Sequence, residues 1–424
     1  MPVRKTLVYM ASSESEKILN TVLDLGAALI RCGADTHKTE KHLYRICAGY
    51  GFKDSNIWVI PSNIQASTTD QEGNTYTMIR HVRSGSTDYS RLAELNDFAR
   101  KLSKTPMGSE ELRRVYDRIM NSRPQPLWIF CLAGILGGVG FGIFFNCDVM
   151  DALVTGIVSL IVALLGRRLS RFEKNPLIYN FILSFVSEML ILLCVRAGFG
   201  HHTGYITIGV VMLLISGIGA TNGFKDLMHL DTMSGVLKLT ESLLGAAGIA
   251  VGIGLPLFIF RSWGITSPGE MMMVNPSHAL SLISGTIGCI GFGLWFNVKW
   301  KHVPFCGIGA FITWGVYLLI SSLTGGSFLP VLGASAVCAG YAQLIARITR
   351  APSTIFMSVS VYPLVPGAAL YYMMNGIVFA ETDLAFEKCI SLFSTCFAIV
   401  LGIMIVEVIV RCIRKAGGKL PTIE

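Results

Sequence analysis

Charge is what most of this sequence lacks. After residue 126 only 30 of 298 residues are Asp, Glu, Lys or Arg, whereas the first 126 hold 32. Apolar runs near 20 residues long at that charge density exclude a soluble fold for the second part, and a bilayer requires them. Other absences narrow the function. Met1 to Lys17 has no apolar core and no small-residue cleavage site, so no signal peptide is expected and the first part should stay cytoplasmic. The eleven cysteines form no CxxC or Cys/His spacing, so those in apolar segments (Cys131, Cys194, Cys289, Cys306, Cys338, Cys396) read as packing residues. There is no P-loop, no nucleophile elbow and no His pair at metal-ligand spacing. His37 and His42 stand five apart and suit a solvated helix face. Neither a catalytic nor a metal-binding set is expected, and no cofactor. The net charge of +8 is spread over loops, which membrane orientation explains without nucleic acid.

Residues 1–126 read as a small cytoplasmic α+β domain. Ile18, Val22, Leu25, Leu29, Leu43 and Ile46 recur at helical spacing, with a break at Arg31–Thr36 and Thr36 capping the second helix. Asn56–Ser67 and Thr75–Val82 are β-branched and partly alternating, with Glu72, Gly73 and Asn74 as a hairpin turn. Helices over about 88–104 and 109–121 precede a Pro-rich joint at Arg123–Pro126.

About ten apolar segments follow: 127–146, 150–166, 176–196, 204–222, 236–260, 279–297, 303–322, 328–347, 353–376 and 387–411. With the N-terminus inside, the inner loops carry Arg167, Arg168, Arg171 and Lys174, then Lys225, Lys299 and Lys301, Arg347 and Arg350, and the tail adds Arg411, Arg414, Lys415 and Lys419. The outer loops hold Asp148, Asp151, Arg196, Arg261 with Glu270, the uncharged Thr324–Gly326, and Glu381 with Asp383. This asymmetry supports an even number of spans and two cytoplasmic ends.

The membrane part repeats itself. Gly138–Asn146 (GVGFGIFFN) matches Cys289–Asn297 (CIGFGLWFN) at an offset of 151, and Gly156 with Ile157 matches Gly307 with Ile308. Ser216 with Gly217 meets Pro366 with Gly367, and Gly252 with Ile253 meets Gly402 with Ile403, at 150. Five segments per copy is odd, so the second copy must enter the membrane from the opposite side. The expected fold is a polytopic helical membrane protein: repeat 1 over 127–260, a connector over 261–278, repeat 2 over 279–413 and a tail over 414–424. Most glycines, such as Gly134, Gly138 and Gly142, suit close helix contact.

Two interruptions carry the functional reading. Pro363 and Pro366 fall inside a membrane segment at Val361–Gly367, and the glycine-rich Ile215–Asn222 occupies the corresponding place in the first copy. Paired breaks supply helix ends, with amides for a carboxylate and carbonyls for an ammonium. Around the first break Leu213–Gly248 gathers Ser216, Gly217, Thr221, Asn222, Lys225, Asp226, Lys238 and Glu241; beyond the second stand Gly367, Tyr371, Tyr372 and Asn375. Charges beside hydrocarbon cost roughly 2.5–3.5 kcal/mol on insertion scales. A charged inner loop between ordinary helices is the alternative. Glu188, midway along the third segment, is the first candidate for proton coupling, with a purely structural hydrogen bond as its competitor. Asp226 and Glu241 follow, with Lys225 or Lys238 as counter-charges.

On Gly26–Glu40 (GAALIRCGADTHKTE), the Asn222, Asp226 and Gly235 spacing, and Val365–Gly367, the chain resembles the threonine/serine exporter family over nearly its whole length. The resemblance implies a cytoplasmic domain followed by ten helices in two related halves. It also implies proton-driven export of a small polar metabolite, threonine or serine first, across the inner or plasma membrane. Split relatives are linked to succinate export, so a dicarboxylate is the alternative. The family generally has Pro-Gly where this chain has Ser216-Gly217, which predicts a softer first break. A membrane-anchored enzyme with its chemistry in residues 1–126, and a non-transporting scaffold, rank lower. The expected partners are the substrate, the bilayer and, compatibly, further copies of the chain.

Overall fold

The computed structural model describes residues 14–82, 85, 87–122, 124–215, 217–260, 277–378 and 380–416. The connector over 261–276, with Arg261 and Glu270, the tail residue Lys419 and Ser216 lie outside what it describes, as do the side chains of Arg414 and Lys415. The chain forms two compact units, Met1–Pro124 and Gln125–Glu424.

In the first unit α1 (Glu14–Arg31) and α2 (Thr36–Gly49) are followed by strands β1 (Lys53–Ile60), β2 (Asn63–Thr69) and β3 (Thr75–His81), then α3 (Tyr89–Leu102) and α4 (Ser109–Met120). The strands form an antiparallel meander, with Ile60 opposite Asn63 and Thr69 opposite Thr75. Leu19, Leu23, Leu25, Leu43, Ile46, Ile64 and Leu95 form its fully buried interior. Three expectations need correcting. The stretch Asn56–Ser67 is two strands, because Pro61 cannot donate to a ladder and the chain turns at Pro61 and Ser62. Asp35 and not Thr36 caps α2, its carboxylate accepting the Lys38 amide, while Thr36 is already helical. His42 is half-buried rather than solvated; burial, with Arg45 next, lowers its pKa to about 4. The β2–β3 turn falls where expected. Asp70 accepts the Glu72 and Asn74 amides, and Gly73 takes a φ of 93° that a side chain would resist.

The second unit is helical: α5 (Leu127–Phe144), α6 (Val149–Leu169), α7 (Pro176–Arg196), α8 (Thr203–Leu214), α9 (Gly217–Met228), α10 (Thr232–Phe260), α11 (His278–Trp295), α12 (Val303–Thr324), α13 (Phe328–Thr349), α14 (Ser353–Ser360), α15 (Gly367–Val378) and α16 (Thr382–Ala416). Eight of these helices are long and apolar enough to cross a membrane. The bent pairs α8–α9 and α14–α15 bring the number to ten if each is one span. Packing partners recur in sequence order: α7 lies on α10 as α13 lies on α16, and α5 meets α8 as α11 meets α14.

Individual contacts recur in the same register. A side chain at Gly252 would strike Ser184 Oγ and Phe181 O, and one at Gly402 would strike Ser335 Oγ and Leu332 O, partners 151 apart. Gly156 faces Val139 and Ile135; Gly307 faces Ile290 and Thr286. Where α5 crosses α11 the relation is reciprocal. A Cβ on Gly140 would overlap the backbone of Gly288, and one on Gly291 the backbone of Gly137. Only hydrogen fits there.

Candidate functional site

Both breaks start from the same backbone geometry. Helix α8 ends at Leu214 and Ile215 turns extended (φ −70°, ψ 126°); Val365, 150 residues on, does the same (φ −65°, ψ 126°). At Val365 the following Pro366 enforces it. Ile215 adopts it with no proline after it; the softening expected at Ser216 falls outside the described residues. Pro363 sits in a single 3-10 turn, Tyr362–Leu364, whose Tyr362 stacks on Phe292 at 3.9 Å. It shapes the break from inside an aromatic core.

The two breaks touch. The Cα of Gly367, first residue of α15, faces Met212 and Ile215, so a Cβ there would stand 3.1 Å from Met212 Sδ. The last turn of α8 therefore ends beside the first turn of α15. The C-terminal, carbonyl end of α8 and the N-terminal, amide end of α15 thus adjoin one another, the Gly367 amide itself donating to Val365 O at 2.8 Å. Around it a buried cluster joins Ile208 and Val211 of α8, Ile249 and Ile253 of α10, and Tyr371, Tyr372 and Met373 of α15.

Glu188 is fully buried on α7. Its Oε2 accepts a hydrogen bond from Thr207 Oγ1 of α8 at 2.8 Å, while its Oε1 has no partner among the described residues. The Tyr371 hydroxyl is likewise buried and without a hydrogen-bond partner among the described residues. Tyr372 and Asn375 are buried beside them on α15.

The charged candidates form a second group at the far ends of α9 and α10. Lys238 Nζ pairs with Asp226 Oδ2 at 2.5 Å. Lys225 approaches Glu407 Oε1 of α16 at 3.9 Å, and His229 Nε2 stands 3.7 Å from Glu407 Oε2. Counting Lys225 as an inner-loop charge was wrong: it is 7% exposed within α9, where Glu407 compensates it. The sequence places Lys238 beside Asp226 and Glu241 alike, but only Asp226 receives it; Glu241 is exposed on α10, and Asn222 is exposed on α9. Thr221 is buried. Thr207, His229 and Glu407 were missed. Glu407, a lone acid in an apolar run as Glu188 is, carried the signal that would have found it.

Because Lys225 and Glu407 are both largely buried, removing one takes away a compensating charge from the other, Glu407 keeping His229 at 3.7 Å. Lys225→Ala and Glu407→Ala should each destabilise the purified protein by about 3–5 kcal/mol or less, the double variant by less than their sum. Thermal unfolding of the four proteins measures that coupling, and strict additivity would deny the pair.

At the start of α6, Asp151 fixes the start of α8 in place. Its Oδ1 accepts the His201 and His202 amides (2.7 and 3.2 Å), and its Oδ2 meets His202 Nδ1 at 2.9 Å. Asp148 Oδ2 meets His201 Nδ1 at 2.5 Å. These atoms have metal-ligand types within 4.8 Å, yet each carboxylate oxygen named here already has a hydrogen-bond partner. The Asp148 bond raises the His201 pKa, and the Asp151 amide followed by His201 lowers that of Asp148. His201 therefore contributes stability below its ordinary range, about 6.5, and loses it as pH rises through the raised value; Asp148 contributes above about 3.9 and loses it on acidification. The melting-temperature difference between the protein and His201→Ala should be largest near pH 5–6 and shrink above neutrality.

Two models of the threonine/serine exporter family match the chain, one over residues 20–260 and the other over 281–409. A Mycobacterium tuberculosis protein named "Probable threonine/serine exporter" is 21% identical over 96% of this chain and 79% of its own length. The threonine/serine exporter of Corynebacterium glutamicum is 20% identical over 95% of this chain and 84% of its own. No solved structure matches.

Proposed function

From the premise that the chain belongs to the threonine/serine exporter family, we propose that it exports threonine, serine or a close analogue from the cell, driven by the proton gradient through alternating access. As a member it is a multi-pass membrane protein and a transporter of a small molecule, not an enzyme. The observation that carries the site is the contact of Gly367 with Met212 and Ile215. A zwitterion fits such a junction: its carboxylate suits the amides that open α15, and its ammonium suits the carbonyls that close α8. The contacts repeated at offsets of 150 and 151 support two inverted five-span copies meeting there. The lysine- and arginine-rich loops support cytoplasmic ends for both termini in the cell membrane.

Glu188 is the coupling carboxylate in this reading, and Tyr371, Tyr372 and Asn375 line the outer side of the junction. A dicarboxylate would need two available cations, and Lys225 and Lys238 already stand opposite Glu407 and Asp226. Counterflow into liposomes, with threonine, serine, alanine and succinate at two pH values, tests the substrate. Threonine or serine exchange supports the reading; succinate exchange without amino-acid exchange replaces it.

A further inference from the structure

Resting on Glu188 as the coupling carboxylate, we propose that Thr207 is its positioning residue: the hydroxyl fixes Oε2, leaves Oε1 to take the proton, and so sets the pH range in which coupling operates.

The geometry is direct. Thr207 Oγ1 of α8 donates to Glu188 Oε2 of α7 at 2.8 Å, and the two residues are 1% and 0% exposed. A threonine hydroxyl inside a helix commonly turns back onto its own backbone. Thr155, Thr240, Thr286, Thr313 and Thr349 do so here, each donating to the carbonyl four residues earlier. Thr207 also stands within a helix, yet its single hydroxyl hydrogen goes across to the neighbouring one.

Helix packing does not require that bond. α7 meets α8 as α13 meets α14. The residue 151 beyond Glu188 is Ala339, and the residue 150 beyond Thr207 is Met357, the offsets that relate Ser184 to Ser335 and Ile215 to Val365. Ala339 and Met357 lie in one apolar cluster. The equivalent pair of helices therefore packs without a carboxylate. A carboxyl group in the first copy adds a desolvation cost that packing does not repay, so its use lies in what it binds.

A hydrogen bond donated to a carboxylate favours the charged form. Spent on Oε2, the Thr207 hydroxyl leaves Oε1, which has no hydrogen-bond partner among the described residues, as the place for the proton. The bond also ties the carboxylate to α8, the half-helix that stops at the first break. Charged groups on the surrounding elements are engaged or outside. Lys238 of α10 is held by Asp226, Glu241 of α10 is exposed, and Asp151 of α6 is tied to His202. Arg167 of α6 lies over Phe130, while Arg168 of α6 and Arg196 of α7 are exposed. The remaining titratable groups there are the phenols of Tyr205 on α8 and of Tyr371 and Tyr372 on α15.

Infrared difference spectra of the full-length protein in nanodiscs, titrated from pH 5.5 to 8.5, follow the C=O stretch that a carboxyl group shows only when protonated. Glu188→Gln identifies the band by its loss. Thr207→Val and Thr207→Ala both delete the hydroxyl, the first keeping the branched shape, and each should raise the midpoint of the band by about one pH unit. Thr207→Ser should keep the wild-type midpoint. The pH profile of threonine exchange in liposomes should move with the band. An unmoved midpoint in either deletion variant, folded by size-exclusion and melting criteria, overturns the proposal, because a merely structural bond would change the melting temperature alone. If Glu188→Gln removes no band, or the band moves while the exchange profile stays, the coupling role of Glu188 fails first and the proposal falls with it.

Discussion

Glu188→Gln should leave a folded protein that no longer responds to an imposed pH gradient. The substitution keeps the shape of the side chain and its bond from Thr207, and removes only the capacity to exchange a proton. Coupling free energies between two ligands typically run about 1–3 kcal/mol, or about 5- to 150-fold in affinity. Proteoliposomes loaded with threonine and given an inside-acid or outside-acid step report this directly. The wild type should change its efflux with the direction of the step; the variant should give the same efflux in both. A Glu188→Gln protein that still accumulates threonine against a gradient would assign proton coupling elsewhere, and Glu407 with His229 would be the next place to look.

The crossing of α5 and α11 should tolerate no side chain. At Gly140 and Gly291 a methyl group would meet the backbone of the opposite helix, at Gly288 and Gly137, where no flexible atom can give way. Overpacking of this kind typically costs about 1–3 kcal/mol per site. Gly140→Ala and Gly291→Ala should each lower the melting temperature of the detergent-purified protein. The double variant should not be the simple sum, because both changes push the same two helices apart. Gly340 on α13 has open space around it, and its replacement by Ala should hold or raise stability, by about 1 kcal/mol at most. Equal effects at Gly340 and Gly140 would mean that the crossing is not a close contact.

Much of this was legible because a bilayer imposes simple rules. Apolar length placed the spans near their observed positions, and glycine and proline spacing placed both breaks, where the structure adds the matching extended residues Ile215 and Val365. What escaped were pairings between segments far apart in the chain. Lys225 sits near the end of an interrupted segment, where hydropathy cannot tell a loop charge from a buried one; only Glu407, 182 residues later, decides it. The sequence could nominate both Asp226 and Glu241 for Lys238 because both are near it in the chain, and helix packing chose between them. In the first unit Asp35 and Thr36 are both good capping residues, so the one-residue choice depended on backbone geometry that composition does not encode.

The most direct test of the central claim is an electron cryomicroscopy map of the protein in nanodiscs with saturating threonine. The account predicts density for the amino acid where α8 stops and α15 starts, its carboxylate toward the N-terminal end of α15 and its ammonium toward the carbonyls that close α8. Threonine bound away from that junction, or α8–α9 and α14–α15 running as unbroken helices past Ile215 and Val365, would contradict it.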